Sequence, residues 1–498
     1  MLGRWQGRKV WFLSLGLFAF ALILRIWFAG GSPDRELYYS VLHFDAVTYY
    51  NSYAEHLADK SLFNEGLSYY PPLPAYLLAI VYKTGASSPV LAKWIYILMG
   101  ALVPVFVYHL GRSVFSERTG LWGGVLSAIA FGGLVLSSGI NAEIPFQLSL
   151  LAALIVGARI DTSPKPLVNC LCVGILCGFM ALTTLSGLWI ILPFILHMLV
   201  GTKVAWRKRV LNALVLLIAT IVIILPWSIR CYKLLEIYSE YGRARKVGWT
   251  PGMGLVTVTV PLHFAMGNNV LADGGYNYDL VGGKIAGGKA FLSDYNVRTL
   301  MTHGFREGVH FMSTHPGMFV KRLLWQKFAR LGCGLTTGFL APNLPCGIAG
   351  IRPANDFFVP DCRWPALPVL AFFVLGLVWS CFRSSRPALL YWIIVFFAAW
   401  TALFAGSVST GVLLLPLVHL FCLWGAGRLI LMLRHRGLLR RMTDILMLCL
   451  VVLSLVIGIV DYSREKILRL EGERDLNTGK ILQHKPVKIE IESAPVEE

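Results

Sequence analysis

The run His43-Phe44-Asp45-Ala46-Val47-Thr48-Tyr49-Tyr50 follows the first hydrophobic segment and sets one carboxylate just outside it. A carboxylate at a membrane surface can deprotonate or orient a hydroxyl or an amine, and partial desolvation there raises its pKa toward a useful range. Asp45 is therefore the first candidate for chemistry. The alternative is that it caps a helix starting at Ala46, since Asp is a favoured N-cap. Glu143 opens a later apolar run after Asn141-Ala142, near the same membrane plane, and a favourable charge at a helix N-terminus explains it as well. Arg230 closes Leu225-Pro226-Trp227-Ser228-Ile229-Arg230, where a planar permanent cation clamps a phosphate or simply anchors its helix at the interface. Lys93 and Arg298 are further cationic candidates that snorkelling or hydration would explain equally. Asp45 and Glu143, with His43 or His56, offer ligands for a divalent metal, but no spacing compels one.

The elements that must hold these residues are membrane spans. With 498 residues, 56% of them hydrophobic, 14% charged and a mean hydropathy of +0.64, the chain cannot hide its apolar side chains in one soluble core. The formal charge of +18 does not indicate nucleic acid, because the basic residues sit in short loops between apolar runs. Apolar runs at 10–30, 90–111, 119–140, 143–160, 166–184, 186–200, 209–229, 364–382, 387–406, 409–433 and 443–461 are each near the roughly 20 residues needed to cross a bilayer, which predicts an all-α polytopic membrane protein of about eleven crossings. Alternate short loops collect the cations: Arg112 and Arg118; Arg159 and Lys165; Lys203, Arg207, Lys208 and Arg209; Arg383 and Arg386; Arg434, Arg436, Arg440 and Arg441. By the positive-inside rule the N-terminus is cytoplasmic. Two long loops, 30–88 and 230–363, then lie on the other side with a polar tail, 462–498, leaving 1–461 as the transmembrane domain. In 319–335, Lys321, Arg322, Lys327 and Arg330 alternate with Phe, Leu and Trp, which suits a helix in the interface.

The first loop is too long for a simple turn and crowded with tyrosines. An interfacial aromatic belt explains most of them; Tyr49 and Tyr70 are pocket candidates, since aromatic faces also stack on sugars. Pro71, Pro72 and Pro74 predict a short helix over 74–83 against the membrane. Gly283-Lys284-Ile285-Ala286-Gly287-Gly288-Lys289-Ala290 almost spells a phosphate-binding P-loop, but Ala290 stands where a Ser or Thr must hold magnesium. Gly267-Asn268-Asn269 predicts a tight turn. Cys170, Cys172 and Cys177 act as small hydrophobes in one apolar run, and a disulfide among Cys333, Cys346 and Cys362 would need an oxidising compartment.

Together, His43-Phe44-Asp45-Ala46, Tyr69-Tyr70-Pro71-Pro72-Leu73-Pro74, Asn141-Ala142-Glu143, Leu225-Pro226-Trp227-Ser228-Ile229-Arg230 and Met266-Gly267-Asn268-Asn269 resemble, in order and topology, the GT-C membrane glycosyltransferases. More narrowly they resemble glycosyltransferase family 39, the protein O-mannosyltransferase-like and aminoarabinose-transferase-like enzymes. The resemblance covers the first two thirds of the chain. It implies transfer of a sugar from a polyprenyl-phosphate donor in the membrane lipid to a protein, lipid or glycan acceptor on the non-cytoplasmic face. It further implies that Asp45 is central, Glu143 is the second acidic residue, able to orient the acceptor or bind a metal with Asp45, and Arg230 binds the donor phosphate. The family's frequency in bacteria points to a plasma (inner) membrane. The chain departs from the pattern at Ser407-Val408-Ser409-Thr410-Gly411, which lacks the basic group that members often carry there. A lipid-linked sugar flippase is the rival reading; such proteins keep ionisable residues within their spans, and here the acidic ones cluster at one face.

Overall fold

A computed structural model of the chain describes residues 2–30, 50–59, 70–85, 89–201, 204–240, 256–257, 259–270, 272, 274–275, 284–285, 289–290, 294–336, 366–383 and 387–433. Five helices are long and apolar enough to cross a membrane. They lie in α1 (Leu2–Gly30), α4 (Pro89–Val114), α7 (Glu143–Gly157), α10 (Trp206–Glu240) and α16 (Val408–Leu433). Shorter apolar helices fill four more of the expected spans: α8 (Pro166–Ala181), α9 (Ile191–Leu196, extended by the helical turns Ser186–Leu188 and His197–Gly201), α14 (Ala366–Arg383) and α15 (Ala388–Leu403). The expected span 119–140 is divided into α5 (Glu117–Ile129) and α6 (Phe131–Ser137) by Ala130, whose φ of −60° and ψ of 118° take it out of the helix. The expected span 443–461 and the polar tail lie outside the described residues.

In hydrocarbon the helices cannot associate by expelling water, so they pack through small residues and satisfied polar groups. A Cβ on Gly120 would stand 2.4 Å from Tyr108 O, so α5 rests directly on the backbone of α4. A Cβ on Gly425 would stand 2.7 Å from Phe372 O, and α16 meets α14 in the same way. Phe146, Phe194, Phe397 and Phe421 fill the main core with Cys170 and Cys177 among them, while Cys172 is exposed. Gln147 donates to Val412 O and Leu413 O at 3.3 and 3.1 Å, pinning α7 to the start of α16.

The first loop supplies α2 (Ser52–Asp59) and α3 (Leu73–Gly85), the latter close to the helix expected over 74–83. Tyr82 donates to Asn51 Oδ1 at 2.5 Å, and Asn51 Nδ2 donates to Glu55 at 2.8 Å, fastening α2 on α3. The later loop supplies α11 (Val260–Gly267), α12 (Asp294–Thr314) and α13 (Leu324–Thr336). Gly304 of α12 abuts Pro261 O, which holds α12 on α11. The P-loop-like run contains no helix among its described residues: β1 (Lys284–Ile285) pairs antiparallel with β2 (Lys289–Ala290). Along 319–335 Leu323, Lys327 and Leu331 form a buried stripe toward α15 and α16, while Lys321, Trp325 and Phe328 are exposed.

Candidate functional site

Glu143 is the first residue of α7. Asn141, just before the N-cap Ala142, accepts from Ile144 N–H at 3.0 Å while its amide donates to Leu136 O and Gly139 O at 2.5 and 2.9 Å. The Glu143 carboxylate lies beside its own N–H, Ala142 N–H and the Ser409 hydroxyl at the start of α16. Tyr96 of α4 is close enough to feel its charge. Lys93 stands one turn before Tyr96 and is 1% exposed, so it neither snorkels nor is hydrated, the alternatives to a phosphate-binding role. Around Tyr96 one apolar cluster gathers Tyr50 and Leu57 from the first loop, Leu78 from α3, and Ile140 and Ile144 from the entry to α7. The described part of the first loop is thereby packed against the Glu143 end of its helix.

The second part of the site is built on Arg230. The sequence reading ends its span near 229, but α10 runs on to Glu240, with Pro226 and Arg230 inside it. Pro226 removes one backbone donor without ending the helix, which membrane helices tolerate. The Arg230 guanidinium lies 4.5 Å from the Trp227 ring and donates to Tyr53 Oη of α2 at 3.2 Å. Burial pushes the Tyr53 phenol up to about 12 against the opposing pull of Arg230, so it stays protonated. Trp227 is fixed in turn, its indole N–H donating to Val256 O at 2.9 Å and its ring meeting Tyr76 edge-on.

Tyr70 connects the two long loops. Its ring lies 6.0 Å from that of Tyr50 and 5.8 Å from that of His263 on α11, both edge-on. His263 has no motif to mark it in the sequence. Its Nδ1 lies 2.8 Å from Thr259 O; a carbonyl only accepts, so Nδ1 carries the proton. Burial lowers its pKa to about 4, leaving a neutral imidazole. The adjoining Asn268 ends α11 and accepts from Lys327 Nζ at 2.7 Å, while Lys327 also donates to Ala402 O at 3.1 Å. Lys327 is 0% exposed, and burial brings its ammonium down to about 7.

Asp45, His43 and Tyr49 lie outside the described residues, and Arg298 falls on α12 with its side chain outside them. Cys346 and Cys362 of the expected disulfide set are also outside. Among the described residues no group of three His, Cys, Asp or Glu side chains is placed to hold a metal ion.

The helical architecture has counterparts among solved membrane enzymes. Residues 70–229 match the family described as dolichyl-phosphate-mannose-protein mannosyltransferase. No curated protein sequence matches the chain. In fold it is similar to the Archaeoglobus fulgidus oligosaccharyltransferase solved with zinc and sulfate, at TM-score 0.52 and 16% identity, covering 89% of this chain and 52% of that one. It is also similar to the oligosaccharyltransferase AglB of Archaeoglobus fulgidus solved with an inhibitory peptide and a dolichol-phosphate, at TM-score 0.51 and 15% identity, covering 91% and 56%. The chain thus spans about half the length of these structures, and at this identity the likeness is one of fold. ArnT from Cupriavidus metallidurans bound to undecaprenyl phosphate is a weaker likeness, at TM-score 0.36, 15% identity and coverage of 83% and 78%.

Proposed function

We propose that this chain is an integral membrane glycosyltransferase that moves a sugar from a polyprenyl-phosphate-linked donor to a protein, lipid or glycan acceptor at the non-cytoplasmic face. The observation that carries the proposal is the match of 70–229 to a mannosyltransferase family. That segment contains Tyr70, Lys93 and Glu143 and stops one residue before Arg230. The packing supports it, because the first-loop helix α2 touches Arg230 through Tyr53 and shares a cluster with the residues beside Glu143.

In this reading Asp45 deprotonates or orients the acceptor as it attacks the anomeric carbon, and the carrier phosphate leaves. Glu143, beside the Ser409 hydroxyl at the first turn of α7, orients the acceptor. Arg230, whose guanidinium lies 4.5 Å from the Trp227 ring, clamps the phosphate, with Lys93 and Arg298 as secondary cations. Tyr70 and Tyr49, with His43, line the sugar pocket. Asp45 and Glu143 would be the ligands of any divalent metal. The membrane is a bacterial plasma membrane, with the N-terminus in the cytoplasm.

The test is transfer of radiolabelled sugar from a panel of polyprenyl-phosphate sugars by the purified protein, wild type against Asp45→Asn. Transfer by the wild type that is lost in a folded variant is the expected result. If both are inert with every donor while lipid-linked sugar crosses proteoliposomes, the flippase reading replaces this one.

A further inference from the structure

Tyr53 stands in the first turn of α2, and its phenol reaches across to α10, where Arg230 Nη2 donates to Oη at 3.2 Å. Both side chains are half-buried. The Tyr53 ring packs on the apolar cluster that holds Tyr50, Leu57, Leu78 and Tyr96. Its hydroxyl adds nothing to that packing; among the described residues the hydrogen-bond partner of Oη is Arg230. Oη accepts through a lone pair and keeps its own proton, so the phenol remains neutral.

Two neutral groups therefore fix the guanidinium. Trp227, whose ring lies 4.5 Å away, belongs to α10 itself and stands three residues before Arg230, so it holds the side chain to its own helix. Tyr53 comes from another element and sets the direction in which the fork points toward the first loop. That point is itself anchored. Tyr82 donates to Asn51 Oδ1 at 2.5 Å, fastening α2 on α3, and Leu73 N–H at the start of α3 donates to Leu182 O at 2.8 Å. A carboxylate in place of the phenol would hold the guanidinium as firmly, but it would neutralise the cation and repel an anion. A phenol holds it without doing either.

Building on Arg230 as the carrier-phosphate clamp of the proposed function, we propose that Tyr53 is a positioning residue for donor binding, its hydroxyl holding the Arg230 guanidinium in the orientation that receives the phosphate. A fork already held loses less freedom when the anion arrives than a mobile arginine does. Because Tyr53 belongs to the loop that carries Asp45, the contact also ties the clamp to that loop.

The test is the affinity of the full chain in detergent for a polyprenyl phosphate, measured for wild type, Tyr53→Phe, Arg230→Met, the double variant and Tyr82→Phe. Tyr53→Phe keeps the ring and its packing and should weaken binding about fivefold. Arg230→Met should weaken it about tenfold or more. In the Arg230→Met background Tyr53→Phe should change nothing further, because the hydroxyl acts through the guanidinium. Tyr82→Phe loosens α2 on α3 without touching Arg230 and should bind as the wild type does. Wild-type affinity in Tyr53→Phe beside weakened Arg230→Met overturns the positioning role and leaves the clamp standing. Unaltered affinity in Arg230→Met removes the clamp and the positioning role together. An added loss in the double variant, or a loss in Tyr82→Phe equal to that in Tyr53→Phe, would show a merely structural tyrosine and overturn the role as well.

Discussion

Two buried basic side chains near the site make its residues sensitive to pH. His263 has a folded pKa of about 4, below the usual value of 6.5, so the unfolded chain binds more protons between those values. Stability therefore falls as pH drops from about 6.5 to 4, by about 3 kcal/mol at full effect. Thermal unfolding in detergent should show this loss in the wild type and a flatter profile in His263→Asn. Lys327 behaves likewise in another window. Its folded pKa of about 7 lies below 10.5, so stability rises with pH between them, by up to about 1.4 kcal/mol per pH unit. Lys327→Met should lack that rise; equal slopes in both proteins would contradict the assignment. Glu143, Arg230 and Tyr70 are legible in the sequence because their types and positions at loop edges suggest roles. His263 and Lys327 are not, because their burial depends on distant partners. Lys327 meets Asn268 and Ala402, 59 and 75 positions away, and in sequence belongs to an alternating basic and aromatic stretch that reads as an interfacial helix.

At the scale of elements, hydropathy locates the spans well because a bilayer demands apolar length. It does not locate their interruptions. Ala130 breaks the expected span 119–140, and α10 continues past Arg230, since backbone geometry at one residue barely alters an average over twenty. Close helix contacts are equally hidden from periodicity. Gly425→Leu must push α16 off the backbone of α14, where even a Cβ falls 2.7 Å from Phe372 O. It should cost about 1–3 kcal/mol or more and lower the melting temperature in detergent. Gly427→Ala, with nothing within 4 Å of its new Cβ, should leave that temperature unchanged. Equal melting of the two variants would show that the α14 and α16 contact is not tight.

At the scale of the molecule, the membrane frame brings the starts of α4 and α7 and the two loops to one region. Tyr50, Tyr70 and His263 form the contact between the loops, and Tyr53 with Arg230 joins the first loop to α10. The order of short motifs carried this much from the sequence, although each motif alone is weak. The central claim is that one carboxylate does the chemistry and one guanidinium holds the donor. Single-turnover transfer from the active polyprenyl-phosphate sugar, measured for wild type, Asp45→Asn and Arg230→Met with donor affinity determined separately, tests it most directly. Asp45→Asn should bind donor as the wild type does and transfer at least a hundredfold more slowly, whereas Arg230→Met should bind donor at least tenfold more weakly. Full transfer by Asp45→Asn, or unaltered donor affinity in Arg230→Met, would contradict the account.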